Sequence, residues 1–338
     1  MEKKSTKRLS LIMPIHGSAP FLIDTIRSVF NSEGVEIDFI LVLDRCTNSE
    51  FHEVIRNSPP NVEVKVINSS LPGIVPALNL GITVANYELI ARLDSDDLIT
   101  PERFLKQIEL LEAFEEVVCV GTQMAFIDET GIEFGYTNYP TLHKDILRRM
   151  KYQNCIGHPS VMFRKSSVQQ IGGYRDFLSG SEDYDLWLRL AEIGILSNLP
   201  LKLTKYRSSK FQVTNQVKST QPISDSACLI SAAMRKLDIS EDPPERNEML
   251  IDYNLRNIVK IQSVNCKVAN EIKAAGYINS AFREWAKMTS IRSKLVRVTQ
   301  ELFRAGWISP GLVISFVFGR IRFHSVRIKR RNEVDYDK

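Results

Sequence analysis

Apolar and polar positions alternate along the first hundred residues in short blocks. Leu9-Ser10-Leu11-Ile12-Met13 is a mostly apolar run closed by Pro14, which predicts a buried strand. Phe21, Leu22, Ile26, Val29 and Phe30 then recur at helical spacing. Phe39-Ile40-Leu41-Val42-Leu43 predicts a second buried strand ending at Asp44, and Val62, Val64 and Val66 alternate with Glu63 and Lys65 as in a half-exposed third. A helical pattern over Ile74 to Ala85 follows Pro72-Gly73. Leu89-Ile90-Ala91-Arg92-Leu93 predicts a fourth strand, which runs into Asp94-Ser95-Asp96-Asp97. Thr100-Pro101-Glu102 has the residues of a helix start, an N-cap hydroxyl with Pro at N1. The helix it opens carries Phe104, Leu105, Ile108 and Leu111 on one face and Lys106, Gln107 and Glu109 on the other. Strands alternating with helices predict an α/β fold with a mostly parallel sheet covered on both faces. Ligands of such sheets bind beyond the carboxyl ends of the strands, where Asp44 and Asp94 fall.

From about residue 115 the strands shorten and glycine-containing turns enter. A helix beginning near Glu182 carries Leu186, Leu190 and Ile193. After about residue 215 the pattern becomes helical. We therefore expect a first domain over 1–215 and a helical C-terminal region over 216–338.

With 338 residues, 43% of them hydrophobic, the chain is neither disordered nor a disulfide miniprotein. The five cysteines form no CxxC pair, which suits a reducing compartment. The formal net charge of +4 is too small to argue for nucleic acid. No run reaches the 18 or so apolar residues of a membrane span, and the expected location is cytoplasmic. Residues 319–338 hold seven bases against three acids, which is the whole of the excess.

The acids of Asp94-Ser95-Asp96-Asp97 repel one another unless a cation shares them. Mg²⁺ and Mn²⁺ favour carboxylate oxygens and keep positions open for phosphate. A DxD at a strand end is thus a seat for a metal diphosphate, with a solvated turn as the plainer reading. A phosphatase with Asp94 as nucleophile fits less well, because that chemistry wants its DxD on the first strand and Thr or Val where Leu98 stands.

Several blocks in order settle the context. Leu11-Ile12-Met13-Pro14-Ile15-His16, then Ala77-Leu78-Asn79-Leu80-Gly81-Ile82, Ala85, Tyr87 to Asp97 and Pro101-Glu102-Arg103 resemble family 2 glycosyltransferases. So do His158-Pro159-Ser160-Val161-Met162, Gly172-Gly173-Tyr174 and Glu182-Asp183-Tyr184-Asp185-Leu186-Trp187-Leu188-Arg189-Leu190. The resemblance covers roughly residues 8–215. It implies a GT-A fold and an inverting enzyme of the bacterial surface-glycan type. Such an enzyme moves a sugar from a nucleotide diphosphate, a UDP-sugar first, to a hydroxyl of a glycan or lipid-linked acceptor.

By that resemblance Pro14, Ile15 and His16 lie under the nucleotide base and Asp44 holds the uridine, while Asn79 and Arg92 belong to the nucleotide-sugar site. Asp94 contacts the ribose or the metal shell, and Asp96 is the more direct ligand of Mn²⁺ or Mg²⁺. Asp183 is the general base. Its placement at a helix N-terminus would ordinarily lower its pKa and weaken it as a base. His158, Glu182 and Trp187 are assigned to the acceptor side, with core packing the plainer role for Trp187. Two positions depart from the family. Arg45 stands where a second acid is usual, and Ser209 where many relatives carry His, leaving Arg207 and Lys210 as diphosphate contacts. These departures keep open a second reading, a nucleotide-sugar-binding protein without turnover.

The tail has two readings. Trp307-Ile308 and Leu312 to Phe318 precede Arg320, Arg322, Arg327, Lys329, Arg330 and Arg331. Apolar residues beside bases suit a segment lying in the interface of an anionic membrane. A C-terminal helix packed on the catalytic domain suits the pattern equally.

Overall fold

The computed structural model describes residues 7–241, apart from Ser179 and 210–220, and single helical positions at 254, 257, 260, 261 and 264. The nucleotide half runs β1 (Lys7–His16), α1 (Leu22–Phe30), β2 (Val35–Asp44), α2 (Phe51–Arg56), β3 (Val62–Asn68), α3 (Ile74–Val84) and β4 (Leu89–Arg92). Then come β5 (Leu98–Ile99), α4 (Arg103–Ala113), β6 (Val117–Ile127), β7 (Glu133–Tyr136), α5 (His143–Met150), β8 (Met162–Arg164), α6 (Lys165–Gln170), α7 (Glu182–Leu190) and β9 (Ile195–Arg207). A final described helix, α8, spans Gln221–Lys236.

One sheet takes the order β3-β2-β1-β4-β8-β6-β9-β5, with β7 added beside β6. The run β3-β2-β1-β4 is parallel. Beyond β4 the sheet is mixed: β8 is antiparallel to both β4 and β6, β6 is parallel to β9, and β5 is antiparallel to β9.

Alternate residues of the central strands serve opposite faces. Leu9, Leu11, Met13 and Ile15 join Ile26 of α1 and Phe104, Ile108 and Leu111 of α4 in one core. Ile12 points the other way, toward α3, where Gly81 brings the helix close. Burial on both faces is why the strand sequences read as continuous apolar runs. A Cβ on Gly81 would lie 2.6 Å from Ile12 Cγ2. Overpacking of this kind costs about 1–3 kcal/mol, against up to about 1 kcal/mol gained in helix propensity. Gly81→Ala is therefore expected to lower stability in a urea titration, and an unchanged midpoint would contradict the tight contact.

Three local expectations are corrected. Pro14 does not end β1, which continues to His16. β4 flanks β1 only from Ser10 to Ile12, so Pro14 lies where one edge of the strand has no ladder to complete. Thr100 is not an N-cap. The backbone N–H of Thr100 bonds to Leu203 O at 3.1 Å, extending the β5–β9 pairing, and α4 begins at Arg103. Gln107, expected outside, is fully buried: its amide donates to Val120 O and Ser160 O, both at 2.9 Å.

Backbone contacts divide the chain into Met1–Trp285 and Ala286–Lys338. The second unit, and with it the apolar and basic tail, lies outside the described residues. Among the described residues no helix is long and apolar enough to cross a membrane.

Candidate active site

Parallel pairing brings the carboxyl ends of β1, β2 and β4 to one edge. His16 and Asp44 are opposite one another in register, and His16 Nδ1 lies 3.1 Å from Asp44 Oδ2. Asp44 also accepts the Gly73 N–H at 2.9 Å and Arg45 Nε–H at 3.2 Å. Burial works against its charge, but these donors together hold its pKa below the usual carboxylate range. Arg45 takes a left-handed conformation, φ 50°, and its guanidinium folds back onto Asp44. The His16 side chain is 60% exposed, leaving its ring free to meet a flat ligand. Pro14 beside it is half-buried, whereas Ile15 is a core residue with no exposed side chain.

The DxD follows β4. Arg92, almost wholly buried, grips Asp94 with its two terminal guanidinium nitrogens at 2.5–2.6 Å. Burial disfavours the Arg92 charge, and Asp94 more than restores it. Asp94, Asp96 and Asp97 each offer a carboxylate oxygen within 4.8 Å of the others. Burial first, then Asp94, raises Asp96 to about 7. Asp97 is fully buried; burial, Asp94 and Asp96 push it well above the carboxylate range. One Asp97 oxygen takes the Arg207 N–H at 2.8 Å, and the other, Oδ2, has no hydrogen-bond partner. Crowded carboxylates with an orphaned buried oxygen fit a hard divalent cation such as Mn²⁺ or Mg²⁺.

Asp183 belongs to the second half of the chain. It opens α7, where Asn154 Nδ2–H donates to Asp183 Oδ2 at 2.8 Å and the Tyr184 N–H bonds to Oδ1 at 2.7 Å. Burial and then the Glu182 charge raise Asp183 to about 7. That outcome reverses the effect expected of a helix N-terminus, because desolvation and a like charge next door outweigh the helix dipole. Glu182 is buried against the Gly180 N–H at 2.6 Å. Its charge interacts with Arg92 and Asp94, and Asp183 also interacts with Arg92. Arg92 thus holds Asp94 directly and exerts a lesser influence on the charges of Glu182 and Asp183.

His158 Nε2 is 2.8 Å from the Tyr174 hydroxyl. Burial, aided by Arg92, drives its pKa well below the ordinary value, so the ring is neutral. Trp187 is fully buried and meets His158 edge-on at 5.9 Å. It packs the core beneath the site and does not line an acceptor pocket. Asn79 is likewise engaged: its amide donates to Tyr174 O and accepts the Tyr174 N–H, both at 2.9 Å. Its carboxamide bolts α3 to the acceptor-side loop. Arg207 is anchored beside the DxD. Its guanidinium donates to Asp96 O, Asp128 O and Glu129 O at 2.9–3.2 Å and lies 4.3 Å from the Phe21 ring centre. Lys210 lies outside the described residues.

Sequence reading missed Asn154, which no motif marks, and Arg103. The Arg103 guanidinium is buried beneath the cluster, donating to Arg92 O at 2.9 Å and Val161 O at 3.3 Å. Tyr174 stands in a block the sequence had marked, but its partner His158 is far off in the chain and only the fold joins them.

Known proteins resemble this chain in sequence and in fold. The profile of Glycosyl transferase family 2 matches residues 10–172, which takes in the DxD and stops short of Asp183. The amylovoran biosynthesis glycosyltransferase AmsE of Erwinia amylovora is 37% identical over 145 residues, 43% of this chain and 54% of that protein. The O-antigen biosynthesis glycosyltransferase WbnJ of Escherichia coli is 30% identical over 183 residues, 54% of this chain and 71% of that one. The S. aureus TarS fragment 1–349 in complex with UDP-GlcNAc has a similar fold, with a TM-score of 0.55 at 16% identity over 93% of each chain. Sequence blocks, topology and a relative aligned over more than two thirds of its own length converge, and the chain belongs to glycosyl transferase family 2 with a GT-A fold.

Proposed function

We propose that this chain is an inverting glycosyltransferase that moves a sugar from a nucleotide diphosphate, a UDP-sugar, to a hydroxyl of a glycan or lipid-linked acceptor. The observation that carries the reading is the cluster of Asp94, Asp96 and Asp97 beyond β4, on the sheet edge that also presents the paired His16 and Asp44. A base raised to about 7 is matched to neutral pH. Asn154 donates to the Asp183 carboxylate and so orients it. Asp183 takes the proton of the acceptor hydroxyl as that oxygen attacks the anomeric carbon. The bond from that carbon to the diphosphate oxygen breaks with its electron pair, and configuration inverts because no enzyme nucleophile intervenes.

On the donor side, the exposed His16 ring offers a stacking surface to the base, and the anionic Asp44 accepts from the uridine. Asp96, Asp94 and the free oxygen of Asp97 would hold Mn²⁺ or Mg²⁺. Such an ion, when bound, supplies Lewis-acid stabilisation of a departing diphosphate. Neutral His158, next to Arg92, adds no charge there. On this reading the reaction runs in the cytoplasm.

The test is turnover of UDP-glucose, UDP-galactose, UDP-GlcNAc and UDP-GalNAc with Mn²⁺ in the absence of acceptor. Slow release of UDP from at least one donor is expected, with water in the acceptor's place. Binding of a donor without cleavage, even when lipid-linked saccharides are added, would instead favour the reading without turnover.

A further inference from the structure

Helix α7, which opens with Glu182 and Asp183, has Ser181 as its N-cap, yet the Ser181 side chain caps no N–H of that helix. An N-cap serine ordinarily turns its oxygen to the N–H two or three residues on. Here the hydroxyl donates instead to Asp225 Oδ1 of α8 at 2.5 Å, the short distance of a hydrogen bond to a charged acceptor. We propose that Asp225 is a positioning residue of the reaction: through Ser181 it fixes the first turn of α7 and so the place of the Asp183 carboxylate. The proposal rests on the transferase reading, in which Asp183 is the base, and adds to it a residue from the C-terminal region.

One stripe of α8 makes the attachment. Asp225, Cys228, Ser231 and Arg235 recur at intervals of three and four, along one face of a helix. The Cys228 thiol lies 3.5 Å from Ser181 O, and the same carbonyl accepts the Asp185 N–H at 3.1 Å. Ser181, almost wholly buried, is thus held by α8 at both its hydroxyl and its carbonyl. Farther along, Arg175 Nε–H donates to Asp185 of α7 at 3.0 Å, and the same guanidinium donates to the Ser231 hydroxyl of α8 at 2.7 Å. Arg235 Nε lies 2.9–3.0 Å from the Glu192 carboxylate. These outer links register the two helices, whereas the link at Ser181 falls at the turn that carries Asp183.

Charge accompanies the contact. Burial raises Asp225 to about 6, and the Ser181 hydrogen bond offsets part of that rise. The Asp225 charge, like that of Glu182, works against ionisation of Asp183, while Arg92 works for it. The Tyr139 and Tyr174 phenols and the Cys228 thiol also sense the Asp183 charge. Asparagine at 225 keeps an acceptor for the Ser181 hydroxyl and removes the charge, whereas alanine removes both. The two substitutions therefore separate placement from charge.

Release of UDP from the donor sugar that the wild type cleaves is compared in Asp225→Ala, Ser181→Ala and Asp225→Asn. A displacement of about 1 Å at a reacting group costs up to about 10²-fold, so kcat should fall about tenfold or more in both alanine variants, with KM for the donor unchanged. Asp225→Asn should recover most of that loss and carry the rising limb of the rate to lower pH, which a merely structural contact would not do. Unchanged kcat in both alanine variants, or a loss carried by KM, overturns the proposal. Melting temperature against pH reads the same link without turnover. The difference between wild type and Asp183→Asn isolates the Asp183 carboxyl, and in an Asp225→Asn background it should be smaller and complete at lower pH. An identical difference in both backgrounds also overturns the proposal. A wild type that cleaves no donor counts against the transferase reading, and the melting curves then still decide whether Asp225 acts on Asp183.

Discussion

Asp96→Ala abolishes metal-dependent donor binding, and transfer with it, while the protein stays folded. Three carboxylates within 4.8 Å of one another destabilise one another in the absence of a cation, and the burial that raises Asp96 to about 7 adds to the cost of its charge. Removing one acid relieves that repulsion, so stability without metal should hold or rise. The backbone contact from Arg207 is made to the Asp96 carbonyl and survives the change. What is lost is a ligand. A bound metal contributes several kcal/mol to stabilising charge on the leaving group, and each 1.36 kcal/mol is tenfold in rate, so a loss of about 10³ or more is expected. Calorimetric titration with UDP, with and without Mn²⁺, separates the two effects. Wild type should bind more tightly with the ion and melt higher in its presence, and the variant should do neither. Undiminished activity in Asp96→Ala would remove the metal assignment.

Much of the nucleotide half was legible because its chemistry is carried by strand ends. Apolar runs give β1, β2 and β4, parallel pairing follows from the intervening helices, and Asp44 and the DxD then fall at one edge without knowledge of any contact. What escaped was the polar interior. Gln107 reads as solvent-facing and Arg103 only as part of a family block, yet both are fully buried. They answer carbonyls at Arg92, Val120, Ser160 and Val161, groups that come together only where the sheet changes from parallel to mixed. The backbone contacts of Asn79 and Arg207 escaped for a related reason. A polar residue inside a marked block invites a ligand role, but hydrogen bonds to Tyr174 and to the 96 and 128–129 carbonyls already engage these two. The pKa of Asp183 was legible in kind but not in sign. The helix N-terminus is written in the sequence, while the burial that overrides it is a property of the fold.

Asp183→Asn should lower turnover by about 10²–10⁴, the worth of a positioned general base, and leave donor affinity unchanged. An asparagine there can still accept one of the two hydrogen bonds, from Asn154 or from Tyr184, so the helix start persists. Since the base must be ionised to accept a proton, the wild-type rate should climb with pH through about 7 and then level off. The limb belongs to the Glu182–Asp183 pair jointly, because two adjacent acids titrate together. In the variant the residual rate should lose that limb. Stability supplies a second readout with the opposite trend. A carboxyl raised in the folded state keeps its proton where the unfolded chain has released it, so its contribution is fully present below about pH 4, the unfolded value, and is lost as pH rises through about 7. The melting temperature of wild type should therefore fall over that window more steeply than that of Asp183→Asn. A variant that kept its turnover but lost donor affinity would assign Asp183 to the donor site and leave the reaction without its base.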